Sequence, residues 1–362
     1  VKIALHLPLN STSLGQVSLS ILREIYSRGM EVCLFPIGEI DLSTQKHDSN
    51  FFEWIQKSVL SSNKKHNRNV PVFKLWHISG SLESFSDKQV LLSFYELDSP
   101  TETEINIVKN NSNVLLSSNY SVDIFFWAGC ENVKFIPLAF DDTHFNLTEK
   151  EQNNDIIQFG MFGKLEPSRK RHLKILTSWV RKYGNKQGYM LNCNIFNRFL
   201  DPNTQSQLIM QALNGQKYWN INFIPYIGPN ETYNKFINNN DIAIAMSGGE
   251  GWGLPEFQSV ALGKHCVGLN AHAYKDWMTD KNTVLINPSG KIPVYDNMFF
   301  KEGMDINQGN IFDWNEDDFI NGLEEVEKRF RNNPVNTDGL ELQNKFTYKK
   351  MVDSILEIMK SL

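Results

Sequence analysis

Along the chain, short apolar runs alternate with polar turns and with longer segments whose apolar positions repeat at helical spacing. KIALHLPL reads as a first strand, NSTSLGQ as a polar loop containing Gly15, VSLSILREIYSRG as an amphipathic helix and MEVCLFPIG as the next strand. Further strands in this half are VFKLWHI, QVLLSFYE, NVLLSS and NVKFIPLA. The segment DDTHFNLTEKEQNND, residues 141–155, is polar and lacks an apolar period, so it reads as a linker. A second series then begins: strand IIQFGMFG, helix HLKILTSWVRKYG, strand LNCNIF, helix SQLIMQALNG, strand INFIPYIG, helix ETYNKFINN and strand DIAIAMSGG. Residues Pro255 to Gly263 form a helix with proline in its first turn, where a missing N–H costs nothing. HCVGLNA is another strand, and LQNKFTYKKMVDSILEIMKSL is a terminal helix. This alternation predicts α/β units around parallel sheets.

The length of 362 residues exceeds what one core usually supports. Two domains are expected, over residues 1–145 and 146–340, with a helix over 341–362 that packs back on the first. Lys and Arg number 36 against 41 Asp and Glu, a net charge of −5, which excludes a strongly basic nucleic-acid binder. The cysteines Cys33, Cys130, Cys193 and Cys266 are widely spaced, so neither a zinc site nor a redox pair is indicated, and they read as buried or incidental thiols of a reducing compartment. No apolar run approaches the roughly 18–20 residues of a membrane span. A cytoplasmic protein is expected, with contact at a membrane surface left open.

Two segments carry chemistry. In SGGEGWGLPEFQSVALGK, residues 247–264, glycines surround Glu250 between a strand end and a helix start. Glycines there allow close approach of a ligand, and the helix start offers unpaired N–H groups to a phosphate. The acid can accept hydrogen bonds from sugar hydroxyls. The alternative is an ordinary tight turn with an exposed glutamate. In FGMFGKLEPSRKRHLK, residues 159–174, the cations Lys164, Arg169, Lys170 and Arg171 follow a strand end. They suit a diphosphate leaving group, or else form a solvated basic patch. Cations at a helix start oppose its dipole, so a bound anion would relieve the conflict.

Residues 247–267 resemble the donor-site signature of retaining GT-B glycosyltransferases, family 4 in particular: an acid, Gly-aromatic-Gly-Leu-Pro, a second acid eight positions on, and a small-residue helix ending in Gly. FGKLEPSRK resembles that family's phosphate clamp and aligns Lys164 and Lys170. IGPNETYNKFINNNDIAIAMS and FIPLAFDDTHF resemble its base-side stretch and its linker. The resemblance implies a GT-B fold, with two Rossmann-like domains facing each other across a cleft. It implies transfer of a sugar from a nucleoside diphosphate donor, such as a UDP or GDP sugar, to a glycan, lipid or other hydroxyl acceptor, with retention and without a metal. Lys164 and Lys170 would stabilise the leaving diphosphate, beside Arg169 and the N–H groups around Gly251, Gly253 and Leu254. Glu250 would hold the sugar, Gln258 the ribose, and Ile227 and Gly228 would flank the base. His77 would lie near the reacting sugar, or else cap its strand or pack under the loop, and Gly15 in the first βα loop would face the cleft. Tyr95 and Glu96 lie at another strand end, where they either meet the acceptor or are ordinary loop polarity.

The departure from the pattern is Gln258, which stands where the second acid is expected and loses charge-assisted strength toward ribose. Glu256 is not expected to replace it, because two helical steps turn a side chain by about 200°. On this reading Lys170→Ala lowers turnover far more than stability. The rival readings are a GT-B relative that binds a nucleotide or glycan without turnover, which Gln258 favours, and a nicotinamide oxidoreductase. The first βα turn lacks the Gly-x-Gly-x-x-Gly of the latter.

Overall fold

The computed structural model describes residues 3–150 and 155–362 and contains two six-stranded sheets, every strand pair within them parallel. Lys2 of the expected first strand and residues 151–154 of the expected linker lie outside the described residues. The first unit comprises β1 (Ile3–Pro8), α1 (Ser13–Ser27), β2 (Val32–Ile37), α2 (Ser49–Lys65), β3 (Val72–Leu75), β4 (Gln89–Ser93), α3 (Glu102–Lys109), β5 (Asn113–Leu116), α4 (Asn119–Trp127) and β6 (Val133–Phe135). Its strand order is β2-β1-β3-β4-β5-β6. Every residue of β3, β4 and β5 is buried, as expected for strands covered on both faces. The starts of α1 and α3 are capped in the usual way: Thr12 accepts from the Gly15 amide, and Thr101 and Glu104 form a capping box on α3.

The second unit comprises β7 (Ile157–Phe162), α5 (His172–Tyr183), β8 (Tyr189–Asn194), α6 (Pro202–Ala212), β9 (Ile221–Phe223), α7 (Asn230–Asn239), β10 (Ile242–Ala245), α8 (Leu254–Ala261), β11 (His265–Leu269), a 3-10 turn (His272–Asp276) and β12 (Val284–Ile286). The order is β12-β11-β10-β7-β8-β9, so the winding reverses between β7 and β10. The crevice at such a reversal, beyond the strands' carboxyl ends, is where open α/β sheets take ligands. In the first sheet the reversal falls between β1 and β3.

Several expected elements are shorter or divided. The strand over INFIPYIG keeps only Ile221–Phe223, because the chain turns at Ile224–Pro229 to start α7. The single terminal helix is two, α10 (Thr337–Lys345) and α11 (Tyr348–Lys360). Between them Thr347 forms a parallel bridge with Phe140, and the Phe140 amide donates to Phe346 O at 2.9 Å. That pairing joins the two chain segments that cross between the units and interrupts the helix. α11 packs on α1 with Met351, Val352, Ile355 and Met359 buried, and Arg28 reaches Asp353 at 2.7 Å.

An antiparallel arm, β13 (Gly290–Pro293) and β14 (Asn310–Asp313), precedes α9 (Glu316–Asn332) and has no counterpart in the sequence reading. Its Val294, Phe300 and Ile311 join Tyr95, Leu97, Leu116 and Phe125 in one buried cluster, so the arm is fastened to the first unit's core. Lys291 pairs with Asp98 at 2.8 Å on the same seam. The four cysteines are buried, and none forms a disulfide among the described residues. No helix among the described residues is long and apolar enough to cross a membrane.

Candidate active site at the reversal of the second sheet

The loop after β7 and the loop after β10 lie side by side because their strands pair. Gly163 leaves β7 with φ +90°, and the Lys170 ammonium lies 3.3 Å from where a Cβ would stand. His172 closes the same turn through an Nε2 contact of 2.8 Å to Phe162 O. The Gly248 amide donates to Arg169 O at 2.9 Å, and the Arg169 guanidinium donates to Gly249 O at 2.7 Å, so each loop holds the other.

These loops bring together a buried ionic cluster. Lys170 Nζ is 2.5 Å from Glu250 Oε1. Arg169 forms a two-bond fork with Glu166, both at 2.9 Å, and lies 3.5 Å from Glu250 and 3.7 Å from Glu96. Glu250, Lys170, Arg169 and Glu166 are 6%, 9%, 6% and 2% exposed. Burial opposes ionisation of Glu250, yet the Lys170 and Arg169 charges outweigh it and hold the carboxyl at about 2. Burial raises the Glu96 carboxyl despite Arg169. For Lys170 the Glu250 charge outweighs burial and raises its value.

The sequence reading treats Glu250 as a lone acid, but Glu96, Glu166 and Glu256 share its surroundings. The Glu166-x-x-Arg169 spacing was the available signal for the first fork, since residues three apart meet in a turn. Glu256 was set aside only as a replacement for Gln258, and the structure places it beside this cluster. It is 3% exposed, in the first turn of α8, and interacts electrostatically with Lys170, Glu250 and Arg169. Burial first, then the Glu250 charge, pushes its carboxyl up to about 7, against the pull of Lys170. A first-turn side chain leans back over the helix start, which a rotation argument from Gln258 does not capture. Gln258 is 5% exposed, and its Oε1 has no hydrogen-bond partner among the described residues.

The glycines after β10 face protein. A Cβ at Gly251 would stand 2.7 Å from Phe94 Cβ, and one at Gly249 would stand 2.8 Å from Glu96 O. Ser117 Oγ donates to Gly251 O at 2.6 Å. The loop is thus shaped by the first unit's approach. Gly253, at φ +79°, begins α8 with Leu254 as the first helical residue.

The remaining predicted residues divide into groups. Lys164 is not equivalent to Lys170: its side chain is 44% exposed, it pairs with Glu166 at 3.3 Å and lies 5.5 Å from the Phe199 and Phe299 rings. His77 is exposed after β3, and partial desolvation and the Lys164 charge lower its pKa, so it faces Lys164 from the other unit. Ile227 and Gly228 are half-buried before α7, whose Asn230 donates to Gln16 Oε1 and to Thr44 O, both at 2.9 Å, across the interface. Arg198, next to this loop, reaches Ser11 at 2.9 Å and the Tyr226 ring at 5.1 Å. Gly15 lies in the first turn of α1 rather than in the loop, with Asn10 O 2.1 Å from its Cβ position. Tyr95 does not face the cleft: it is 3% exposed and its ring meets Phe125 edge-on in the core. Glu96, its neighbour, points the other way and reaches Arg169.

No protein-family model and no curated protein sequence matches this chain. Solved structures do match along its whole length. Sucrose-phosphate synthase (tll1590) from Thermosynechococcus elongatus superposes with a TM-score of 0.67 at 11% identity, over 99% of this chain and 98% of that one. Anabaena Alr3699/HepE, in complex with UDP-glucose, gives 0.66 at 15% identity over 100% of both chains. WaaG, a glycosyltransferase involved in lipopolysaccharide biosynthesis, gives 0.62 at 10% identity over 99% of each. The fold is GT-B. Within this GT-B frame the predicted residues Lys164, Arg169, Lys170, Glu250 and Gly253 all follow the strands at the reversal, β7 and β10, while His77 and Glu96 follow strands of the opposing sheet.

Proposed function

We propose that this chain is a glycosyltransferase that moves a sugar from a nucleoside diphosphate donor to a hydroxyl acceptor with retention of configuration. The observation that carries the proposal is the Lys170–Glu250 pair at the sheet reversal, beside the amino end of α8. A diphosphate entering there meets the Lys170 ammonium and unpaired helix amides, a charge arrangement matched to a departing phosphate. Freed from Lys170, the Glu250 carboxylate accepts hydroxyls of the sugar. Lys164 at the open side meets the same diphosphate, and Ile227 and Gly228 flank the base. Gln258 contacts the ribose. The second unit acts as donor domain and the first as acceptor domain, with His77 and Glu96 facing the reacting sugar. The leaving phosphate itself takes the acceptor proton, so the reading uses cationic side chains and helix amides in place of a metal. The structures of HepE with UDP-glucose support a nucleotide-sugar donor for this fold.

One observation favours a second reading, in which the protein binds a nucleotide sugar without turnover. Arg169 and Lys170 are already matched by Glu96, Glu166 and Glu250. A panel of UDP, GDP and ADP sugars assayed for transfer and hydrolysis separates the two. Product formation that is lost in the Lys170→Met, Glu250→Gln double variant, with a normal melt, supports catalysis. Donor binding without product from any acceptor supports the second reading.

A further inference from the structure

The amino end of α8 holds an unused hydrogen-bonding group. Glu256 is 3% exposed, and its Oε2 has no hydrogen-bond partner among the described residues. Its carboxyl leans back toward its own backbone N–H, and Oε2 lies 3.3 Å from the Cβ position of Gly253. The fully buried Tyr274, whose ring crowds the same point at 2.4 Å, also leaves its hydroxyl unpartnered among the described residues. An ionised carboxylate with a bare oxygen in such a setting is costly. A protonated one carries an O–H that requires an acceptor. Pro255, the second helical residue, removes one N–H from the end of the helix that would receive an anion.

We propose that Glu256 is a neutral carboxylic acid that donates a hydrogen bond to a phosphate oxygen of the donor, replacing the amide that Pro255 removes. The inference rests on the donor-site reading above and adds a residue that the sequence reading did not assign to the site. The groups facing Glu256 agree with a neutral form. Glu250 on the loop after β10 repels a second charge. Tyr233 on α7, Tyr274 on the 3-10 turn and Cys266 on β11 are uncharged, and their own ionisation is suppressed by burial. Lys170 and Arg169 supply the opposing pull, and both already have carboxylate partners in Glu250 and Glu166. A donor held in this way binds with Glu256 protonated, so its affinity falls as the pH passes about 7.

Calorimetric titration with UDP-glucose, GDP-mannose and ADP-glucose at pH 6 and pH 8 tests this, because the diphosphate diester keeps its charge over that range. The wild-type protein is expected to lose about tenfold in affinity between the two. Glu256→Gln keeps a donor but does not titrate, and removes most of that dependence. Glu256→Ala binds weakly at both pH values. Wild-type affinity that is flat with pH, together with unchanged binding by Glu256→Ala, overturns this inference alone. Failure of the wild-type protein to bind any of the three sugars at either pH overturns the donor-site reading and this inference with it.

Discussion

Lys170 Nζ and Glu250 Oε1 approach to 2.5 Å inside the protein, and the pair couples the loop after β7 to the loop after β10. Lys170→Ala therefore strands a buried carboxylate. The expected cost is about 3–5 kcal/mol, toward the lower end because Arg169 stays 3.5 Å from Glu250. The sequence-based expectation that turnover falls far more than stability is therefore best tested on a variant that leaves no buried charge unpaired. The double variant Lys170→Met, Glu250→Gln should regain most of that loss in a urea melt while remaining inactive in transfer.

The same cluster sets opposing pH dependences. Glu250 is held at about 2, below the ordinary 4.5, so its contribution to stability is complete above 4.5 and is lost as pH falls toward 2. Glu256 is raised to about 7, so the native state keeps a proton that the unfolded chain releases near 4.5. Stability on its account falls between pH 4.5 and 7. Glu256→Gln is expected to raise the melting temperature at pH 8, by the equivalent of up to about 3 kcal/mol, and to leave it nearly unchanged at pH 4.5. Melting curves at the two pH values check both signs.

Gly251 packs directly against the first unit. A methyl group there meets Phe94 Cβ at 2.7 Å, so Gly251→Ala must displace the loop or part the two units. Overpacking of this kind costs about 1–3 kcal/mol. The variant should melt lower and show a larger radius of gyration in X-ray scattering. An unchanged radius with an unchanged melt contradicts the contact.

His77 is exposed, so His77→Ala should change stability by no more than about 0.5 kcal/mol. Transfer is expected to fall at least tenfold. Full activity in the variant removes His77 from the reacting centre.

The α/β order was legible because buried strands and amphipathic helices differ in period, and the β7 and β10 loops were legible because glycines and charges collect there. The arm over 290–313 was not. Its apolar residues Val294, Phe300 and Ile311 follow neither period, since they are buried against another unit rather than within their own hairpin. Tyr95 and Glu96 show the same limit at one step in sequence, one side chain entering the core and the other reaching Arg169.

The linear order of residues determined the repeating α/β units and the clustering of Lys164, Arg169, Lys170 and Glu250 at strand ends, because periodicity and local composition are properties of neighbours along the chain. Only the folded arrangement decided which charges are paired. Strand β10 lies beside β7 although about 80 residues separate their loops, and that adjacency places Glu250 on Lys170. The approach of the first unit then buries the cluster; burial raises the Glu256 carboxyl to about 7, while the Lys170 and Arg169 charges overcome burial and hold Glu250 at about 2.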